Sequence, residues 1–124
     1  MRFQRATLST ILALAMCGCA TTGVANRPGE LLVMGSIENV SAEPSDNPDD
    51  LLGHGWFNAR LHVSRVMRGQ LEANVIPVRY YAHTYLSTRQ TRPLKLYRDE
   101  EGKYFICARP GGTGFRCPSD SNGR

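Results

Sequence analysis

The side chains best able to do chemistry in this chain are four cysteines and three histidines. The histidines, His54, His62 and His83, are far apart and lack the short spacing of a metal-binding pair such as His-x-x-x-His. The sequence contains no Cys-x-x-Cys pair, and it has neither the Gly-x-Ser-x-Gly nor the His-Glu-x-x-His motif. We therefore expect no metal, no cofactor and no catalytic residue.

The first 18 residues have the composition of an export signal. A basic start is followed by an apolar run, Leu8–Met16, and then by small residues around Cys19. This order is typical of a secretory signal peptide. The apolar run has about half of the roughly 20 residues that a membrane-spanning helix needs. A retained transmembrane anchor is therefore the weaker interpretation.

The processing site resembles the lipobox of Gram-negative bacterial lipoproteins. Met16-Cys17-Gly18-Cys19 places a small residue directly before a cysteine, as the lipobox does. The resemblance implies that residues 1–18 are removed and that Cys19 receives a thioether-linked diacylglycerol and an acylated amino group, which anchor the protein in a lipid bilayer. It also implies an envelope location, and the outer membrane is favoured because an inner-membrane lipoprotein would carry Asp after the cysteine. The alternative is an ordinary cleaved signal and a soluble periplasmic protein.

Cys107 and Cys117 are the cysteines that remain, since Cys17 leaves with the signal and Cys19 is taken by lipid. Cysteines in an oxidising compartment pair by default. The segment between them is rich in glycine, which is typical of a turn. We expect a disulfide that stabilises the fold by roughly 3 kcal/mol. A metal or redox pair is the alternative.

The charge of the chain does not indicate a nucleic-acid partner. The whole chain has 15 basic and 11 acidic residues. Removal of the signal takes away Arg2 and Arg5 and no acid, which leaves 13 basic against 11 acidic residues and a net charge of +2. Such a weak positive charge lacks the electrostatic footprint of nucleic-acid binding, and an envelope location argues the same way.

Beyond the signal, the sequence predicts one small β-domain. The polar composition of residues 19–30 is typical of a flexible tether. The domain is predicted over residues 31–118, and a disordered tail over residues 119–124. No segment shows a strong helical period. The fold class is mainly β, a small five- to six-stranded barrel (OB-like) or a sandwich.

The strands are predicted from alternation of apolar and polar residues with a period of two. In the clearest strand the adjacent apolar residues Val66 and Met67 indicate a β-bulge. A long solvated loop is predicted over residues 41–55. The predicted strands are Leu31–Val40, Trp56–Arg68, Ala73–Ala82, Pro93–Arg98, Lys103–Arg109 and Gly114–Cys117.

The first three strands resemble the OB-fold barrels of the netrin and tissue-metalloproteinase-inhibitor type. The segment Phe57-x-Ala-x-Leu-x-Val-x-Arg-Val-x-x-Gly69 carries this resemblance, which covers roughly Leu31–Tyr80. Those inhibitors act through a free N-terminal cysteine amine that binds a catalytic zinc. Acylation of Cys19 would block that chemistry, so the resemblance implies the barrel and not the inhibition.

An aromatic and basic stretch is the candidate interaction patch. Tyr and Arg are enriched at the centres of protein interfaces. The function predicted is a non-enzymatic, membrane-anchored envelope lipoprotein that binds a protein or an envelope component. The alternatives are an envelope hydrolase or inhibitor-like module, and a purely structural lipoprotein in which tyrosines pack the barrel and arginines are solvated. The patch residues are Arg79, Tyr81, His83, Tyr85 and Arg89.

Overall fold

The computed structural model describes residues 29–122. The predicted signal peptide (1–18), Cys19, most of the tether and residues 123–124 lie outside the described residues. Within residues 29–122, no helix is long and apolar enough to span a bilayer. The five strands are β1 (Glu30–Pro44), β2 (Gly55–Arg68), β3 (Val75–Ala82), β4 (Arg92–Arg98) and β5 (Tyr104–Ile106).

The five strands close into a barrel in the order β1-β2-β3-β5-β4, and β4 returns to β1. All neighbouring strands are antiparallel except β3 and β5, which run parallel. A small five-stranded barrel with this kind of crossed order is OB-like. The predicted fold class is therefore confirmed, and of the two predicted architectures the barrel is the one that forms.

The period-two alternation decides which side chains fill the barrel. On β1 the buried residues Leu31, Val33 and Ile37 alternate with half-exposed or exposed ones. The same alternation on β2 and β3 sends every second residue inward, because successive side chains of a strand point to opposite faces. The resulting core consists of Leu31, Val33, Ile37, Phe57, Ala59, Leu61, Ile76, Val78, Tyr80, Leu94, Leu96 and Ile106.

A β-bulge near the end of β2 lies where the sequence predicts one. Val33 pairs with Val66 and Leu32 pairs with Arg68, so Met67 is an extra residue on β2. A bulge bends its strand and increases the local twist. This bend contributes to the curvature that a barrel of five strands needs, since so few strands must turn sharply from one to the next.

The first strand is longer than the sequence predicts. A solvated loop is predicted over residues 41–55, but β1 continues to Pro44 and pairs with the start of β2. Val40 is an extra residue between Asn39 and Ser41, which makes a bulge on β1, in addition to the register shifts at Met67 and Ser64 of β2. Beyond it every side chain of β1 is exposed. The alternating signal disappears there, although the backbone pairing continues.

The segment after β5 differs from the predicted strand Gly114–Cys117. It forms no strand, and its described backbone contact with the preceding segment is one hydrogen bond from the N–H of Ala108 to the carbonyl of Phe115. Gly114 has a positive φ of 137°, which is a turn conformation rather than a strand conformation. Gly114, one of the glycines that predict the turn, therefore does not start a regular returning strand.

The start of the predicted disordered tail, residues 119–122, is instead folded as part of a short 3₁₀ helix, Pro118–Asn122. Lys95 Nζ on β4 holds this helix by donating to Ser119 Oγ (2.6 Å) and Asp120 Oδ1 (2.7 Å). These charged and polar partners explain why a segment without apolar residues still docks on the barrel.

Cys107 and Cys117 form a disulfide, as the sequence predicts, and their Cα atoms are 5.4 Å apart. Both cysteines are buried. The bond joins the end of β5 to the residue that precedes the 3₁₀ helix. A loop closed over ten positions reduces the entropy of the unfolded chain, which in the loop-closure model stabilises the fold by roughly 3 kcal/mol.

A substitution at Leu61, which has no exposed surface, tests whether burial of side chains inside the barrel stabilises the fold. Leu61→Ala should lower the free energy of unfolding by about 2–5 kcal/mol through lost burial and an unfilled cavity. Leu52→Ala is the control, since Leu52 is 69% exposed in the β1–β2 loop and its loss should change stability by less than about 0.5 kcal/mol. Urea unfolding of both variants measures the difference, and equal effects would contradict this core assignment.

Candidate binding surface

The outer wall of the barrel carries large rings on four adjacent strands. The strand register pairs Trp56 of β2 with Tyr81 of β3. It pairs Arg79 of β3 with Phe105 of β5, and Phe105 with Tyr97 of β4. Paired residues lie on the same face of a sheet. All five side chains therefore share the outer wall, where each is half-buried.

These rings and their neighbours form a continuous surface that we call the aromatic band. Trp56 lies at its centre, with ring centroids 5.3 Å from Tyr81 and 5.8 Å from Phe105. Phe115, from the turn after β5, lies 5.1 Å from Phe105. These separations fall in the favourable range for edge-to-face and offset ring contacts. The band consists of His54, Trp56, Tyr81, Tyr97, Phe105 and Phe115.

Arg79 joins the aromatic band to a polar part of the same wall. Its guanidinium carbon lies 5.1 Å from the centroid of the Trp56 ring, which is a cation–π contact. Its Nη2 donates to Glu43 Oε2 at 2.9 Å. Arg79 is thus oriented from two sides, with its planar group beside the central ring of the band.

A groove of about 620 Å³, whose lining surface is mostly apolar, continues from Arg79 between β2, β3 and the β4–β5 turn. Arg60 and Lys103 also line it. Arg60 pairs with Glu38 at 3.2 Å, and Lys103 pairs with Glu101 at 2.7 Å. The Glu101 carboxylate raises the pKa of Lys103 by accepting its hydrogen bond. Because each lining cation has an acidic partner, the groove is close to electrically balanced.

An aspartate–histidine pair lies at one end of the aromatic band. His54 Nδ1 is 2.8 Å from Asp50 Oδ1, and the His54 backbone N–H donates to Asp50 Oδ2 at 2.7 Å. The His54 ring stacks on Tyr81 with centroids 5.6 Å apart, and the His83 ring stands edge-on to it at the same distance.

This pair has the polarity of the base and orienting acid in many hydrolases, but its geometry differs. The His54 Nε2 atom, which would take the proton, is shielded from solvent and has no hydrogen-bond partner among the described residues. A base must come within about 3.2 Å of the atom that carries the proton it removes. In this arrangement the pair holds the β1–β2 loop against the end of the band.

The structure brings together only part of the predicted interaction patch. Arg79 and Tyr81 lie on the outer wall, and His83 contacts the band through His54. Tyr85 instead packs edge-on against the inward-facing Phe57, 4.8 Å away, and is 51% exposed. Arg89 is exposed in the β3–β4 loop. Tyr80, next to the patch in sequence, is buried in the core and stacks on Phe57.

Sequence reasoning missed most of the aromatic band. Trp56 was readable, because the alternation that turns Phe57 inward places Trp56 on the polar face of the same strand, where a large ring is unexpected. Phe105 and Tyr97 lie in short strands whose two faces both carry aromatic or charged residues. Alternation therefore does not show which face of these strands points outward. Their proximity depends on the register of β3, β4 and β5, and that register requires the closed barrel.

Comparison of the chain with protein-family models, curated proteins and solved structures gives no match. Over the described range, 29–122, no group of three or more His, Cys, Asp or Glu side chains is placed to hold a metal ion.

The Asp50–His54 contact should make the free energy of unfolding depend on pH in the acidic range. The hydrogen bond from His54 lowers the pKa of Asp50 below its ordinary value of 3.8. A carboxyl whose pKa is lowered by folding stabilises the fold above the unfolded pKa, and this contribution is lost as the pH falls through the folded pKa. Asp50→Asn cannot ionise, so this variant should lose less stability than the native protein between about pH 5 and pH 2.

Urea unfolding at a series of pH values measures this difference. Asp49→Asn is the matched control, because it removes a carboxylate from the same loop and keeps the His54 contact. The control should follow the native pH dependence. If Asp50→Asn also followed it, the His54 contact would have no influence on the acid sensitivity of the fold.

Proposed function

We propose that this protein is a non-enzymatic envelope lipoprotein, anchored through acylated Cys19 and facing the periplasm, whose barrel binds another envelope component, in the first place a protein. The outer membrane is the favoured location. The aromatic band, with Arg79 and the charge-balanced groove beside it, is the proposed contact surface. The binding role is inferred from the aromatic band.

Two features of the chain support the envelope location. The first is the order of a basic start, an apolar run and Gly18-Cys19 at the N-terminus, which is typical of lipoprotein export. The second is the disulfide between Cys107 and Cys117, since such bonds persist in oxidising compartments and are rare in the cytosol.

The aromatic band supports a protein partner. The solvated face of an antiparallel sheet is normally polar, yet here rings cover the outer wall of four strands. Trp, Tyr and Arg are the residues that most often dominate the binding energy of protein interfaces. All three types meet at Trp56, whose ring contacts both Tyr81 and Arg79. The charge-balanced groove beside them favours a partner that is not a polyanion.

The anchor can be tested by the intact mass of the protein purified from membranes. We expect the mass of residues 19–124 plus a diacylglycerol and an acyl chain. Cys19→Ala should abolish the lipid and the membrane association that depends on it. Cys17→Ser is the matched control, because it removes a thiol from the predicted signal and should leave the lipid unchanged. A free Cys19 or a retained Met1 would contradict the proposal.

The contact surface can be tested with two tyrosine variants. Tyr81→Ala removes a ring from the aromatic band, whereas Tyr85→Ala removes an exposed ring that lies against Phe57 instead. For a partner identified by co-purification with the native protein, Tyr81→Ala should weaken binding by about 30-fold or more, the effect of losing an interface residue worth about 2 kcal/mol. Tyr85→Ala should bind nearly as well as the native protein.

Binding is measured by titration with the purified partner, and circular dichroism verifies that both variants are folded. A partner lost with Tyr85→Ala but kept with Tyr81→Ala would contradict the proposed surface. Saturable, Tyr81-dependent binding to purified peptidoglycan without any protein partner would keep the surface but change the ligand class to a glycan.

A further inference from the structure

The barrel wall opens where β3 meets β5. These two strands share only two residue pairs, the last of which joins Arg79 to Phe105. β5 ends at Ile106, whereas β3 continues to Ala82 and stays paired with β2. Beyond Arg79 the described strand pairing of β3 is therefore on its β2 side only, and a seam separates it from the chain that follows β5.

A cavity of about 410 Å³ occupies this seam, and we call it the seam pocket. Its floor is formed by the core side chains Tyr80, Leu94 and Ile106, each less than 10% exposed. Leu86, from the β3–β4 loop, covers one side. The volume lies within the usual range of small-molecule sites, about 300–1,000 Å³. The pocket thus places a small ligand against the edge of the apolar core of the barrel.

The floor is suited to an apolar group because its one polar side-chain group is already bonded. The Tyr80 hydroxyl donates to Asn39 Oδ1 and accepts a hydrogen bond from the Leu86 backbone N–H at 3.1 Å. It therefore offers little to a polar ligand. A hydroxyl-rich or charged molecule placed on this floor would lose its hydrogen bonds to water without replacing them.

The side of the pocket is cationic. Arg92 and Arg109 line it, and none of the described lining residues is acidic. Arg92 Nη2 donates to the Ser87 carbonyl at 3.2 Å, but its Nε atom is shielded from solvent and has no hydrogen-bond partner in the described part of the chain. A buried donor without a partner is unfavourable. An acceptor that enters the pocket and turns the guanidinium toward it would remove this penalty.

We propose that the seam pocket binds a small amphipathic anion, with an acyl chain on the apolar floor and a carboxylate or phosphate at Arg92. The planar guanidinium matches both groups, because it can give them two parallel hydrogen bonds. This inference does not rest on the protein contact proposed for the aromatic band. Tyr81 is the one residue that belongs to both surfaces, so Arg92 can be changed without changing the band.

The test uses the purified mature protein in lipid nanodiscs, titrated calorimetrically with hexanoate, hexyl phosphate and hexanol against empty nanodiscs. Short chains keep partition into lipid small. We expect both anions to bind saturably and hexanol to bind at least about tenfold more weakly, since it cannot make a charge-assisted hydrogen bond. The stronger of the two anions identifies the head group as a carboxylate or a phosphate.

Two variants separate the seam pocket from unspecific binding. Arg92→Gln should weaken the binding of both anions by about tenfold or more, whereas Arg89→Gln, an exposed arginine of the preceding loop that is not in the lining, should have no effect. Thr113→Trp should block the pocket, because Thr113 is an exposed lining residue whose substitution leaves the core intact.

Three results would each overturn the inference: no saturable binding of either anion, equal binding of hexanol, or unchanged anion binding in Arg92→Gln and Thr113→Trp. None of these results bears on the aromatic band, since Tyr81 is native in every variant. Failure of the protein contact, in turn, would leave the anion titrations unaffected.

Discussion

Closure of the barrel depends on the return of β4 to β1, which leaves β1 paired on both edges over the same residues. From Leu32 to Gly35, β1 bonds to β2 on one edge and to β4 on the other. Gly35 makes this possible, because a Cβ atom there would lie 2.7 Å from the His62 carbonyl oxygen. Any side chain at this position would push β2 away from β1. The core and the outer wall both follow from this close approach, since neither exists in an open sheet.

Closure also explains why the aromatic band is informative. The inward residues already fill the barrel, so the fold does not need Trp56 or Phe105 for its core. The rings partly shield one another on the outside, and each favourable ring pair contributes about 0.5–1.5 kcal/mol beyond the area that it buries. This contribution partly offsets the free-energy cost of exposing the rings to water, but it does not explain why rings lie on the outer wall. Contiguous apolar surface on a small protein is most often a contact site, which is why the band carries the functional proposal.

Much of the barrel could be predicted from period-two alternation, because burial of one face imposes that pattern. The sequence predicts the inward residues of β1 to β4, the bulge at Met67 and the pairing of the two cysteines. It does not predict the end of β1, since after Val40 both faces meet solvent and backbone pairing leaves no hydrophobic signal. The 3₁₀ helix depends on Lys95, more than 20 positions away. The band and the seam pocket depend on strand register, which single strands do not encode.

The two ends of the described chain meet at one point of the barrel. The buried Glu30 carboxylate accepts the Ser119 backbone N–H at 3.1 Å and lies 3.7 Å from Lys95 Nζ. Glu30 also pairs with Tyr97, one end of the aromatic band. The segment from Cys19 to Glu30 can span at most about 40 Å when fully extended. With Cys19 acylated as proposed, one end of the band would stay within that distance of the bilayer. A partner that is itself attached to the membrane would therefore meet the band more readily than one free in the periplasm, because anchoring both molecules raises their effective concentration.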